Sequence, residues 1–211
     1  MTSSTTSSGQ TVPAAPNVSD RGLLRGAIGL AVLSIVVFGF LYSLAGVGLG
    51  QAFFPGPASG SLIKLNGRAV GSSLVAQPFA DDRYFHPRPS AGGYQPMAAG
   101  GSNEARANPE LRQRVEAERE AVARREGVAQ SEVPSDLVTQ SGGGFDPHIS
   151  PQGARIQVAR VARARGVDPE VIAALVAKHT HAPQFGILGQ PRVQVLELNL
   201  ALDDLAPRVI R

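Results

Sequence analysis

The chain has 211 residues with no cysteine and no tryptophan, and its 20 Lys and Arg against 17 Asp and Glu leave a formal charge of +3. The absence of cysteine excludes a thiol nucleophile, a disulfide framework and a Cys-ligated metal. So small a charge excess, with 5% aromatic residues, offers neither an electrostatic footprint for nucleic acid nor a platform for stacked bases, so no nucleic-acid partner is expected.

Residues 1–22 open with a Ser/Thr/Pro-rich stretch without apolar periodicity, which cannot bury enough surface to fold and reads as a disordered tail. Residues 23–50 read as a transmembrane helix. From Gly26 to Leu49 no side chain is ionised. At ~1.5 Å per residue that run reaches roughly 36 Å, more than the ~30 Å hydrocarbon core. A cleaved signal peptide has a shorter apolar region, and Leu49-Gly50-Gln51 is a poor cleavage site. Arg21 and Arg25 precede the run and no Lys or Arg follows until Lys64. The bias of basic residues toward the cytoplasm puts the tail inside and residues 51–211 outside. Gly26, Gly29, Gly39, Gly46 and Gly48 would let a neighbouring helix approach closely in lipid.

Beyond the span, Phe53 and Phe54 suit the headgroup region, and Pro55 and Pro57 end the helix. Asn66-Gly67 between two short apolar stretches predicts a hairpin with a type I′ turn. Residues 78–107, rich in Gly, Pro and Asn, predict a long irregular segment of the kind that is functional or held by a partner. Asn108-Pro109-Glu110, Ser150-Pro151 and Asp168-Pro169-Glu170 each put a capping residue before a proline at the first helical position. The first helix should run to Glu126 and stop at Gly127, with its arginines and glutamates on a solvated surface. The second should run unbroken from Pro151 to Arg165, burying Ala154, Val158, Val161 and Ala162, with Arg155, Arg160 and Arg163 away from that face. The third should bury Val171, Ile172, Leu175 and Val176. Residues 193–198 alternate like a strand, and Asn199 to Leu205 read as a short terminal turn. The fold class is α+β: one N-terminal transmembrane helix followed by one mixed extracytoplasmic domain.

Chemistry-bearing residues crowd into Asp82-Arg83-Tyr84-Phe85-His86-Pro87-Arg88-Pro89-Ser90 and Asp146-Pro147-His148. A hydrolase would need Ser90, Ser102 or Ser141 beside His86 or His148 and an aspartate, yet no Gly-x-Ser-x-Gly elbow is present. A metal site from His86, His148 and Asp82 or Asp146 lacks any ligand spacing, and His179 and His181 would diverge on a helix. Gly100-Gly101-Ser102-Asn103 and Gly142-Gly143-Gly144 lack the Gly-Lys-Ser/Thr ending of a phosphate loop and read as tight turns. A membrane-anchored extracytoplasmic hydrolase or metal-dependent enzyme is the rival reading on this inventory.

The same residues resemble a family. Behind a single span come Gly60-Ser61-Leu62-Ile63, Phe79, Tyr84-Phe85-His86-x-Arg88-Pro89-Ser90, Gly100-Gly101-Ser102-Asn103 and Asn108-Pro109. Val133-Pro134-x-Asp136-Leu137-Val138-Thr139, Asp146-Pro147-His148-Ile149-Ser150-Pro151, Arg160-Val161-Ala162 and Leu196-x-Leu198-Asn199-x-Ala201-Leu202-Asp203 follow. In this order they resemble the KdpC family, whose members belong to the Kdp potassium-transporting P-type ATPase. Gln194 stands where that family usually has Asn, and Gly143-Gly144-Phe145 varies a Ser/Gly/Leu pattern. The resemblance implies a non-catalytic accessory subunit of an ATP-driven potassium uptake complex in the bacterial inner membrane, needed for assembly and stability. It implies as partners the potassium-conducting and ATP-hydrolysing subunits, beside the lipid bilayer. ATP binding, and a catalytic-chaperone role that raises the ATP affinity of the ATPase subunit, are implied by the resemblance alone. It marks Tyr84, Phe85, His86, Arg88, Ser102, Asn103, Asp146, His148 and Asn199 as candidate motif and docking residues.

Overall fold

The structure is a computed structural model that describes residues 20–205, with side-chain surroundings from Gly22 onward. The disordered tail expected for residues 1–22 lies outside the described residues up to residue 19. Asp20, Arg21 and Gly22 already belong to a helix. The chain divides into two compact units, residues 1–55 and 56–211.

In the first unit α1 (Asp20–Ser34), a π-helical segment (Ile35–Leu41) and α2 (Tyr42–Phe53) follow one another without a break. Gly22–Phe53 is long and apolar enough to cross a membrane, and none of it is buried within the protein. The helix runs three residues past the expected end. It stops where Pro55 has no N–H to offer, after the Phe54 N–H closes the last turn on the Gly50 carbonyl at 2.8 Å. The π segment was not foreseen. There the Tyr42 N–H reaches back five residues to the Val37 carbonyl. Ile35, Val36 and Val37 crowd the preceding turn through their branched Cβ atoms, and Gly39 restrains the backbone least, so the ladder loosens here.

A single helical turn, α3 (Pro55–Ala58), starts at the last residue of the first unit, and the hairpin β1 (Leu62–Leu65) and β2 (Arg68–Ser72) follows in the second. Asn66 and Gly67 have φ of 51° and 79°, as a type I′ turn requires. A bulge falls where Ile63 pairs with Gly71 but Lys64 pairs with Ala69. Gly71 gives room to its neighbours: a Cβ there would stand 1.8 Å from the end of the Gln77 side chain and 2.7 Å from that of Leu196, and both would have to move.

Helix α4 (Pro109–Glu126) has the expected ends, with Asn108 accepting from the Glu110 N–H and Gly127 at φ 71°. Asp136 then fixes the next helix start, since its carboxylate accepts from the Ser150 N–H (2.7 Å) and hydroxyl (3.0 Å) while Ser150 caps Gly153. The helix expected over 151–165 is broken into α5 (Pro151–Arg155) and α6 (Val158–Arg165). Gln157 causes the break. Its backbone N–H pairs with Ala154, and its side-chain amide takes the Gly153 carbonyl that an unbroken ladder would use. Ala154, Val158, Val161 and Ala162 are buried as expected, but so is Arg160. In α7 (Pro169–Lys178) Ile172 and Val176 are buried and Leu175 partly so, whereas Val171 faces solvent.

A three-stranded antiparallel sheet has the order β3 (His148–Ile149), β5 (Arg192–Gln194), β4 (Thr180–His181). The strand expected over 193–198 ends at Gln194, and α8 (Val195–Leu205) takes the rest. The Gln194 side chain accepts from the Glu197 N–H at 2.6 Å and so starts the helix. Val195, Leu198 and Leu202 are buried at helical spacing. The core joins them to Phe85, Val122, Leu137, Ile149, Val161, Ile172 and Val193.

Candidate functional site

Pro87 and Pro89 keep Asp81–Pro89 out of helix and sheet, yet the segment runs through the core, where its backbone groups need partners. Side chains supply them. Asn199 on α8 accepts from the Phe85 N–H (2.8 Å) and donates to the Phe85 carbonyl (2.9 Å). Gln157 does the same for His86, at 2.8 and 3.2 Å. Arg160 donates to the carbonyls of Asp82 (2.6 Å) and Tyr84 (3.0 Å), and Arg165 to that of Arg83 (2.7 Å). Arg160 is neutralised by Glu126 at 2.9 Å, a carboxylate with no exposed side-chain surface that Arg125 also meets at 2.7 Å. The Tyr84 hydroxyl donates to Asp203, and Arg165 pairs with Asp203 while lying over the Tyr84 ring, 5.0 Å from its centre.

Phe85 fills the centre of the core, and His86 beside it is only 8% exposed. His86 Nε2 faces the Asp81 carbonyl at 3.3 Å. Burial pushes the His86 pKa down to about 4, and the positive charges of Arg160 and Arg125 push the same way. The imidazole is therefore neutral at physiological pH. The unfolded chain, with a histidine pKa of about 6.5, takes up the proton first. Stability should thus be full above about pH 6.5 and fall as the pH drops toward 4, by something on the order of 2 kcal/mol, with the slope gone in His86→Gln. Urea midpoints at pH 7 and pH 5 for both proteins check this. An equal pH dependence in the two would refute it.

A second group gathers Arg88, Asp146 and His148. Arg88 pairs with Asp146 at 3.0 Å and donates to the Thr139 carbonyl and hydroxyl, both at 3.4 Å. The other Asp146 oxygen accepts from the His148 N–H and faces its Nδ1 at 3.2 Å. Burial alone would raise the Asp146 carboxyl, but the hydrogen bonds from His148 and Arg88 outweigh it and hold the pKa low. Ser102 and Asn103 hydrogen-bond to neither group, but they neighbour the second one through Thr139 and Ser141, which bond Arg88 and Asp146. They line a cleft of about 200 Å³ with Arg114, Thr139, Gln140 and Ser141.

These placements test the enzyme reading. Ser90 donates to the Gly144 carbonyl, Ser141 accepts from the Asp146 N–H and Ser102 from Arg114. Among the described residues none of the three hydrogen-bonds a histidine, and no group of three His, Cys, Asp or Glu is placed to hold a metal. The glycine turns close on each other: the Gly100 N–H donates to Gly143, the Gly144 N–H donates to Ser141, and a Cβ on Gly144 would stand 2.8 Å from the Gly100 carbonyl. Two amides that a phosphate would need are thus taken. Arg114 is held by Glu104, and the cleft is smaller than the roughly 300 Å³ of the smallest usual ligand sites. These residues do not fit a nucleoside triphosphate.

Of the candidate docking residues, Tyr84, Phe85, His86 and Asn199 are buried within the chain and support it internally, while Ser102 and Asn103 are exposed and Arg88, Asp146 and His148 half-buried. Sequence reasoning missed Gln157, Arg160 and Glu126. A signal for Gln157 exists: it falls three residues after Ala154 and four before Val161, inside an apolar stripe where a polar side chain must find partners.

Comparison with known proteins gives one family. The KdpC family model, described as K+-transporting ATPase, c chain, matches residues 24–204. A potassium-transporting ATPase KdpC subunit of Xanthomonas oryzae pv. oryzae is 56% identical over 184 residues, covering 87% of this chain and 88% of its own. The subunits of the same name from Shewanella putrefaciens and Geobacter metallireducens are 48% and 46% identical, over 82% and 87% of this chain and 86% and 98% of theirs.

Proposed function

The chain belongs to the KdpC family of K+-transporting ATPases, and on that premise we propose that it is a non-catalytic accessory subunit of the pump, required for its assembly and stability. It is held in the bacterial inner membrane by a span within Gly22–Phe53, with the N-terminus in the cytoplasm and the residues beyond the span outside. It docks on the potassium-conducting and ATP-hydrolysing subunits through the exposed rim formed by Arg88, Ser102, Asn103, Asp146 and His148. One observation carries this reading: Asn199, Gln157 and Arg160 are engaged in holding the backbone of the irregular segment, as a scaffold that presents a rigid surface requires. Any effect on the ATP affinity of the ATPase subunit then passes through contact between subunits.

Two measurements test the proposal. A tagged chain should recover the other pump subunits on purification, and Arg88→Ala with His148→Ala should reduce that recovery severalfold while the chain itself stays folded. Unchanged recovery would remove this rim from the interface. A C-terminal alkaline phosphatase fusion should be active and a C-terminal green fluorescent protein fusion dark. The reverse pattern would put the domain in the cytoplasm, beside ATP.

A further inference from the structure

The connection between β4 and β5, residues 182–191, contains no ionisable side chain. It closes on itself through a bridge in which the Gln184 N–H donates to Leu188 (2.8 Å) and the Leu188 N–H to Gln184 (2.9 Å). The Gly186 and Ile187 N–H groups are also taken, by Pro183 and Gln184. At its tip Phe185, Ile187 and Leu188 are 82%, 83% and 55% exposed. Phe185 adopts φ +55°, a left-handed conformation that costs a bulky residue strain and here holds its ring in the open. Lys178 and Arg192 stand at the base, and no Asp or Glu occurs between residues 171 and 196. The facing charges are His181 at the base and Glu197 of α8, 3.7 Å apart.

We propose that this turn enters the interfacial layer of a bilayer, with Phe185, Ile187 and Leu188 at the ends of the acyl chains and Lys178 and Arg192 at anionic headgroups. Three observations favour lipid over a protein pocket. The N–H groups of Gln184, Gly186, Ile187 and Leu188 are satisfied within the turn, which lowers the cost for most of this backbone of leaving water. An apolar tip above a base where Lys178 and Arg192 face one carboxylate, Glu197 beside His181, matches the layering of an anionic membrane surface. The same chain has a segment fit to span a membrane, which would keep that surface within reach. The proposal rests on reading Gly22–Phe53 as such a span.

The chain lacks tryptophan, so single-tryptophan variants report on one place at a time. The full chain is reconstituted in bilayers of phosphatidylcholine and phosphatidylglycerol, with and without brominated acyl chains. Phe185→Trp should emit to the blue and lose more than half its intensity to brominated lipid, as should Phe40→Trp in the apolar helix. Met97→Trp, at a position 98% exposed, should be unaffected. Adding Lys178→Gln and Arg192→Gln should weaken the quenching of Phe185→Trp in anionic bilayers and leave it unchanged in phosphatidylcholine alone. If Phe185→Trp behaves like Met97→Trp while Phe40→Trp is quenched, the insertion is refuted and the span stands. If Phe40→Trp is itself unquenched, the span reading fails and the insertion falls with it. A blue shift of Phe185→Trp that arises only in the assembled pump, without quenching by lipid, would assign the turn to a protein partner and overturn the proposal.

Discussion

Replacing Arg160 by methionine should lower the unfolding free energy by about 3–5 kcal/mol, the usual cost of leaving a buried charge without its partner. The side chains of Arg160 and Glu126 are 5% and 0% exposed. Without Arg160, Glu126 keeps only Arg125, whose side chain is 31% exposed, and the carbonyls of Asp82 and Tyr84 lose their donor. An acceptor buried unpaired costs about 1–3 kcal/mol, so the two effects point the same way. Urea unfolding of the full chain in mild detergent, followed by circular dichroism, measures the loss. Adding Glu126→Leu should recover part of it by removing the stranded charge, but not the part due to the carbonyls. A loss below about 1 kcal/mol in Arg160→Met would show that water reaches the pair and that the segment is held by other means.

Phe85→Ala should cost about 3–5 kcal/mol, and His86→Gln at pH 7 about 1 kcal/mol or less. Phe85 is fully buried among Val, Leu and Ile side chains, so truncation empties space that the surrounding helices cannot all collapse into. His86 is neutral, and glutamine can still donate to the Asp81 carbonyl. Potassium-dependent growth and pump ATPase turnover should follow the same order. One equivalent of bound zinc in the wild type would contradict this view of His86, as would loss of turnover in an assembled and stable His86→Gln complex.

The legible parts of this fold are those that neighbours in sequence determine. Asn108, Ser150 and Asp168 announced three helix starts, Gly127 marked one end, and Asn66-Gly67 set the hairpin, because each acts within a few residues of itself. What escaped depends on distant partners. Arg160 reads as solvated until Glu126, 34 residues earlier, is found beside it. The break at Gln157 follows from an amide drawn to His86, 71 residues away. Over 193–198 a period of two was apparent, but Val195, Leu198 and Leu202 also fit a helix, and the side chain of Gln194 decides between them. Within the candidate site the sequence marked the backbone that is held and one holder, Asn199, and missed Gln157, Arg160 and Arg165.

The π segment at Ile35–Leu41 changes which sides of the apolar helix line up. A π turn takes more residues than the 3.6 of an α turn, so every side chain beyond Leu41 is rotated back from where a uniform α-helix would carry it. The angle between the glycines before the segment, Gly26 and Gly29, and those after it, Gly46 and Gly48, therefore differs from the one that uniform 3.6-residue spacing would set. A neighbour packed closely along α1 meets a different side of the helix in α2.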